Sequence, residues 1–140
     1  MKAVDTNILV RLLVQDDEAQ YRSALAFFDG LSTDSPARVD AIVLCELTWV
    51  LRSSYEYARD EVAEVLERIL STDQLEVDDP DATWHALEDF RASKADFADC
   101  LIGQRARRAG CSSTVTFDAR LRSLPTFELL PHSEGGAGAG

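Results

Sequence analysis

The sequence predicts an α/β fold, a three-layer α/β/α sandwich with a mainly parallel central sheet. Short apolar segments with strand character alternate along the chain with longer segments whose apolar residues recur at helical spacing. Parallel strands need a crossover connection between them, usually a helix, and this alternation supplies one each time. A functional site is then expected outside the carboxyl ends of the strands.

The first half of the chain is predicted to contain three strands and four helices. Strands are expected at residues 2–5, 38–39 and 75–77, because these are short apolar stretches next to turn or capping residues. Acids at residues 16–18 and Asp40 precede apolar helical patterns, as N-capping residues do. The helices are therefore predicted at residues 8–14, from the capping acids at 16–18 through Tyr21 and Phe28 to about Gly30, at 41–53 and at 60–70.

The second half is predicted to continue the alternation. A helix contains Trp84, Leu87 and Phe90, and the next helix runs from about residue 96 to 109 and stops at Gly110. A strand at 113–117, a short helix at 119–124 and a last strand at 127–130 complete the prediction. Residues 1–131 are expected to form one domain, and residues 132–140 a flexible Gly/Ala-rich tail.

Composition indicates a cytoplasmic protein. No apolar run approaches the roughly 20 residues that span a bilayer, and the N-terminus lacks the pattern of a secretory signal. The three cysteines, Cys45, Cys100 and Cys111, form no Cys-x-x-Cys pair, and two of them lie in apolar segments. This pattern favours reduced thiols in a reducing compartment.

The charge is unevenly distributed. The net charge is −11, which taken alone disfavours a nucleic-acid partner. However, residues 1–90 carry 7 basic and 20 acidic side chains, whereas residues 91–140 carry 7 basic and 5 acidic ones. The C-terminal part can therefore hold phosphate, although a solvated helix face would show the same pattern. The candidate RNA-binding residues are Lys94, Arg105, Arg107, Arg108, Arg120 and Arg122.

Four acids lie in apolar surroundings where burial is expected. They are Asp5, Glu46, Asp99 and Asp118. A buried carboxylate costs several kcal/mol unless it is paired or coordinates a cation. Each acid alone has an ordinary interpretation, such as a helix N-cap or a partner for Arg11 or Arg52. Four together, with few basic residues in the same segments, favour a shared divalent cation.

The identity of that cation follows from the ligand type. Carboxylate oxygens suit Mg²⁺ or Mn²⁺ rather than zinc. Neither His85 nor His132 lies at a ligand-like spacing, and no cysteine pair exists. Asp96 lies one helical turn before Asp99, so it is either the N-cap of that helix or an outer contact of the metal.

The sequence resembles the PIN-domain family and, within it, the VapC-type toxins of toxin–antitoxin pairs. The segments that carry the resemblance are residues 5–11, 44–51, 95–102 and 116–118. Each motif alone is weak, but all four occur in order and near the expected spacings. With the intervening helices they span residues 1–130.

The resemblance implies that Asp5, Glu46, Asp99 and Asp118 match the family's acidic quartet. Thr6, Asn7 and Thr116 then fall where the family has polar side chains that hydrogen-bond the acids or the waters on the metal. The implied activity is Mg²⁺-dependent hydrolysis of RNA phosphodiester bonds, in a homodimer inhibited by an antitoxin.

The hypothesis for the mechanism is attack by water, with one or two Mg²⁺ ions held mainly by Asp5 and Asp99. Glu46 or Asp118 accepts the proton or completes the metal shell, and the products are a 5′-phosphate and a 3′-hydroxyl. Three alternatives are an aspartyl-nucleophile phosphotransferase, a phospho-receiver module and a non-catalytic acidic interaction domain. The first needs a second acid where Asn7 stands, and the second needs a lysine near Asp118, so both are disfavoured.

Overall fold

The computed structural model describes residues 1–132, and the Gly/Ala-rich stretch predicted as a tail lies outside them except for His132. The α/β class with parallel strands is confirmed. The chain divides into two compact units, Met1–Trp84 and the part from His85 onward. Within residues 1–132, every helix is too short or too polar to span a lipid bilayer.

The first unit contains a three-stranded parallel sheet with the order β1-β2-β3. The strands are β1 (Lys2–Ala3), β2 (Ala37–Val39) and β3 (Leu75–Val77), and Ala37 pairs with both Lys2 and Leu75. Ala37 and Val39 are fully buried, as expected for a central strand covered on both faces. The helices between the strands are α1 (Thr6–Val14), α2 (Glu18–Asp29), α3 (Ala41–Ser54) and α4 (Arg59–Leu70).

Helix caps confirm the predicted starts of two of these helices. The Asp17 carboxylate accepts a hydrogen bond from Gln20 N–H at the start of α2, and Asp40 accepts one from Ile42 N–H at the start of α3. Each bond satisfies one of the N–H groups that lack a partner in the first turn. Because Asp40 follows β2 directly, α3 begins at the carboxyl end of that strand.

The chain enters the second unit within α5 (Pro80–Ala92), which is followed by α6 (Phe97–Arg108). The parallel strands β4 (Thr114–Thr116) and β5 (Phe127–Leu129) form a two-stranded sheet. Gly110 has a φ of +96°, the left-handed conformation that ends α6 as predicted. The predicted short helix at 119–124 is only one turn of 3₁₀ helix, Ala119–Leu121, because Leu124 already turns towards β5.

Candidate functional site

Asp5 lies just beyond β1 and is the N-cap of α1. Its backbone is extended, and its Oδ1 accepts a hydrogen bond of 3.1 Å from Asn7 N–H. The prediction that this carboxylate is buried is wrong: Asp5 is exposed. The reason is that β1 ends at Ala3, so Asp5 stands at the mouth of the strand–helix turn rather than inside the sheet.

Thr6 links the first turn of α1 to Glu46 of α3. The Thr6 hydroxyl donates to Glu46 Oε1 over 2.9 Å. Burial was expected for Glu46 as well, and that prediction is also wrong. Ile42 and Trp49, on the same face of α3, are 68 % and 69 % exposed. The apolar composition around Glu46 therefore belongs to an exposed helix face rather than to the core.

An aspartate follows each strand of the three-stranded sheet, and of these three only Asp5 is a site residue that the sequence predicts. Asp40 and Asp78 come directly after β2 and β3, and Arg38 Nη2 lies 3.4 and 3.5 Å from their Oδ2 atoms. Arg38 thus compensates both negative charges at the end of the sheet. The signal was present in the sequence as an aspartate after each predicted strand.

In the second unit, Asp99 lies in the first turn of α6, with Asp96 at its N-cap position. Asp96 has the extended backbone of an N-cap, but its side chain makes no capping hydrogen bond. Its carboxylate is therefore not committed to the helix. Two roles were left open for Asp96, the N-cap of the helix or an outer contact of the metal. It occupies the N-cap position, but its side chain does not make the capping hydrogen bond.

Asp118 caps the 3₁₀ turn that follows β4. Its Oδ1 accepts from Arg120 N–H, and the Arg120 guanidinium contacts both carboxylate oxygens at 2.7–3.1 Å. Its own N–H donates to Thr116 Oγ1 over 3.0 Å. Arg120 was predicted to hold RNA phosphate, and its bidentate pairing with Asp118 was not foreseen.

The two acids have pKa values shifted in opposite directions. Partial burial raises the pKa of Asp99, and the neighbouring Asp96 and Asp118 carboxylates raise it further. Hydrogen bonds from Arg120 lower the pKa of Asp118. Arg120 also lowers the pKa of Asp99, but burial and the two carboxylates outweigh it. Burial and the two neighbouring carboxylates therefore destabilise the ionised form of Asp99.

The donor chemistry of these residues fits a divalent cation. Asp99 lies near the Asp96 and Asp118 carboxylates, whose negative charge a cation would compensate. Carboxylate oxygens are ligands that Mg²⁺ binds. Within residues 1–132, no group of three or more histidines, cysteines or acids is already arranged to hold a metal ion. The bidentate contact with Arg120 occupies Asp118, so metal binding there requires the guanidinium to move.

The remaining candidate residues are basic and exposed. Lys94 lies between α5 and α6, and the last turn of α6 carries Arg105, Arg107 and Arg108. Arg122 follows the 3₁₀ turn and is also exposed. These side chains are exposed and thus accessible to an anionic ligand.

Comparison with known proteins agrees with the motifs. The model of the PIN domain family matches residues 2–126. The chain is 27 % identical over 135 residues to a VapC ribonuclease of Aquifex aeolicus strain VF5, covering 96 % of this chain and 99 % of that protein. No solved structure matches it significantly.

Proposed function

The chain belongs to the PIN domain family, and on that premise we propose that it is a Mg²⁺-dependent endoribonuclease, the toxin of a toxin–antitoxin pair. The relative named a VapC ribonuclease supports RNA as the substrate, and the antitoxin partner is what the resemblance of the motifs to VapC-type toxins implies. The observation that carries the metal dependence is the environment of Asp99. Partial burial and two neighbouring carboxylates disfavour its negative charge, which a bound cation would stabilise. A homodimer in the cytoplasm is part of the same proposal.

Asp5, Glu46, Asp99 and Asp118 are proposed to hold the metal, with Asp5 and Asp99 as its main ligands. Mn²⁺ is expected to substitute, because the ligands are all oxygen atoms. A bound Mg²⁺ supplies positive charge that stabilises the phosphodiester transition state and makes water more acidic. Asp5 Oδ1 accepts the Asn7 N–H, so Oδ2 is the oxygen available for a ligand.

The contacts of the two remaining acids suggest different roles. Both oxygens of Asp118 accept hydrogen bonds from Arg120, which lowers the pKa of Asp118 and makes it a poor proton acceptor. Thr6 holds only Oε1 of Glu46. We therefore propose that Glu46 Oε2 accepts the proton from the attacking water, while Asp118 completes the metal shell once the Arg120 guanidinium has moved away.

Supporting roles follow from the same contacts. Thr6 orients Glu46, Thr116 fixes the backbone of Asp118, and Asn7 fixes Asp5 through its main chain. Asp96 is an outer contact for the metal or its waters. The exposed basic side chains bind the RNA backbone through Coulomb attraction to phosphate. These are Lys94, Arg105, Arg107, Arg108 and Arg122, with Arg120 added when it leaves Asp118.

The test is RNA cleavage by purified protein with Mg²⁺, with Mn²⁺ and with chelator, using Asp5→Asn and Asp99→Asn beside wild type. Removal of either carboxylate should lower the rate about a hundredfold or more, as does loss of one electrostatic group in other active sites. Asp34→Asn is the matched control, since Asp34 is an exposed loop acid. Manganese binding followed by electron paramagnetic resonance gives a readout that is independent of cleavage. Equal cleavage by wild type and both site variants would refute the proposal.

A non-catalytic interaction domain predicts a different result. An exposed apolar face beside Glu46 would bind a partner whether or not the acids bind metal. Such a protein would bind an antitoxin-like partner and leave RNA intact with every metal. Sequencing the ends of cleaved RNA separates the two functions and identifies the RNA that is cut.

A further inference from the structure

A cavity of about 480 Å³ lies between α1 and α2, and Asp5 forms part of its wall. Further wall residues are Ile8 and Arg11 of α1, with Gln20, Ser23 and Phe27 of α2. Each set recurs at a spacing of three or four residues, so each helix contributes one face. The volume falls in the usual range for small-ligand pockets, about 300–1,000 Å³.

Hydrogen bonds and an ion pair hold the Arg11 and Gln20 side chains of this cavity in a defined orientation. Arg11 Nε donates to Gln20 Oε1, and Arg11 Nη1 lies 3.2 Å from Asp16 Oδ1. Asp16 Oδ2 in turn accepts from the Tyr55 hydroxyl over 3.0 Å. Because the guanidinium is only a donor, it fixes the Gln20 amide with its oxygen towards Arg11. The Gln20 NH₂ group is then the part of the amide left to donate to a ligand.

The chemistry of the walls matches a nucleoside. Ile8 and Phe27 offer apolar and aromatic surface, which single-stranded bases use for stacking. The Gln20 NH₂ and the Ser23 hydroxyl offer polar contacts for a base edge or a ribose hydroxyl. Asp5, at the wall of the same cavity, belongs to the proposed catalytic group. A nucleoside bound here would therefore lie beside the bond that is cut.

We propose that this cavity receives the nucleoside next to the cleaved phosphodiester, and that Gln20 donates to a hydrogen-bond acceptor on the base. The proposal rests on the proposed nuclease function and adds the part of the chain that selects the nucleotide. It assigns the preference for particular RNA sequences to α1 and α2 rather than to the exposed arginines, which contact phosphate and carry no base information.

The first test is binding of single nucleotides without metal. Each of the four ribonucleoside 5′-monophosphates is titrated into full-length protein in chelator, and backbone amide NMR shifts locate and quantify binding. Ser23→Phe places a large side chain in the cavity, and Ala26→Phe places the same group at an exposed position of α2 outside the cavity lining. Gln20→Leu removes the donor.

We expect shifts in α1 and α2 with preference for one or two bases. Ser23→Phe should weaken binding about tenfold or more, whereas Ala26→Phe should stay within about twofold. Gln20→Leu should reduce the preference between bases about fivefold, the scale of one hydrogen bond. Shifts confined to other elements, or equal binding by Ser23→Phe and wild type, would overturn the proposal.

The second test is the sequence of the cleaved RNA ends. Gln20→Leu should still cut RNA but at a broader set of nucleotides, and Ala26→Phe should keep the wild-type pattern. An unchanged pattern in Gln20→Leu would contradict the role of the cavity and leave the nuclease function intact. If wild type cut no RNA at all, the nuclease function itself would fail, and this inference with it.

Discussion

The Thr6 hydroxyl donates a hydrogen bond of 2.9 Å to Oε1 of Glu46, a residue 40 positions later in the chain. The contact joins the first turn of α1 to the middle of α3. Asp5 directly precedes Thr6, so the same turn that presents the Asp5 carboxylate also sets the position of Glu46. In the proposed mechanism, the proton acceptor is therefore oriented by the neighbour of a metal ligand.

Replacing this hydroxyl should reduce catalysis more than stability. Thr6→Val keeps the branched shape and removes the donor, which frees Glu46 to adopt other rotamers. A hydrogen bond to a charged group contributes about 1.5–3 kcal/mol, and because Glu46 is exposed and Thr6 only half-buried, the effect lies at the lower end. We expect kcat/KM for RNA to fall about tenfold, mostly through kcat.

Thr6→Ser is the matched control for this prediction, since it retains the hydroxyl. It should keep most of the activity, and the thermal midpoints of both variants should stay close to wild type. A loss shared equally by Thr6→Ser and Thr6→Val would mean that the methyl group, and not the hydrogen bond, is what matters.

Local sequence signals predicted most of the fold. Asp17, Asp40 and Gly110 mark helix ends by capping and by left-handed backbone, which depend on nearby residues alone. The strand segments were found for the same reason. Their pairing into parallel ladders followed from the helices between them.

The errors concern contacts that local patterns do not encode. Glu46 was expected to be buried because its neighbours are apolar, but the face with Ile42 and Trp49 is exposed, and periodicity cannot tell which side a neighbour covers. The pairing of Arg120 with Asp118 depends on the tight 3₁₀ turn between them. The sequence predicts a longer helix there, and Arg120 was assigned to RNA because it belongs to the basic residues clustered in the C-terminal part.

The pairing of Arg120 with Asp118 should control the titration of two acids. Arg120→Gln removes a positive charge that lowers the pKa of both Asp118 and Asp99. Both pKa values should therefore rise, and that of Asp118 should rise more because it also loses the direct hydrogen bonds. Carboxylate ¹³C NMR titration of labelled aspartate measures both. Arg122→Gln, a change of the same kind two residues away, should shift neither appreciably, and an unshifted Asp118 in Arg120→Gln would disprove the pairing in solution.

Asp99 should make the metal-free protein less stable at neutral pH. Its pKa is raised above the unfolded value of 3.8, so the folded state holds the proton more tightly than the unfolded state does. Its contribution to stability therefore falls as the pH rises from about 3.8 through the folded pKa, and the penalty is fully present above that. Asp99→Asn removes the penalty and should raise the melting temperature at pH 7 in chelator by up to about 2 °C, a small shift because solvent screens the site.

Bound metal should reverse the order of the melting temperatures of wild type and Asp99→Asn. Added Mn²⁺ should stabilise wild type, because ligands that bind only the folded state raise stability by mass action. It should stabilise Asp99→Asn much less. Thermal melts at pH 7 and pH 3, with and without Mn²⁺, check the direction of each of these changes in melting temperature. Asp34→Asn is the control, because it removes an acid outside the site. A variant that melts below wild type in chelator at pH 7 would contradict the assigned penalty.

Close packing at Gly103 should fix the position of α6. A β-carbon there would lie 2.9 Å from both Phe127 Cε2 and Thr126 Cβ, closer than real side chains pack. Gly103→Ala gains about 1 kcal/mol of helix propensity, but overpacking costs about 1–3 kcal/mol. We expect a net loss of about 1 kcal/mol in the free energy of unfolding, measured with urea. Gly30→Ala is the control, since its β-carbon would meet Phe27 O at 3.5 Å and Ala26 O at 3.7 Å, which are ordinary contact distances, and an equal loss there would argue against the contact.

The exposed arginines of α6 should contribute to RNA affinity in a salt-dependent manner. Each phosphate that a side chain neutralises releases counterions, so the slope of log affinity against log salt changes by about 0.7 per contact for single strands. Arg105→Gln and Arg107→Gln should each reduce the slope by about this amount. Fluorescence anisotropy with single-stranded RNA, in an Asp5→Asn background that does not cleave, measures the slope. Arg22→Gln changes an exposed arginine of α2 that pairs with Glu18, and it should leave the slope unaltered. Equal slopes in all of these proteins would place the RNA path away from the end of α6.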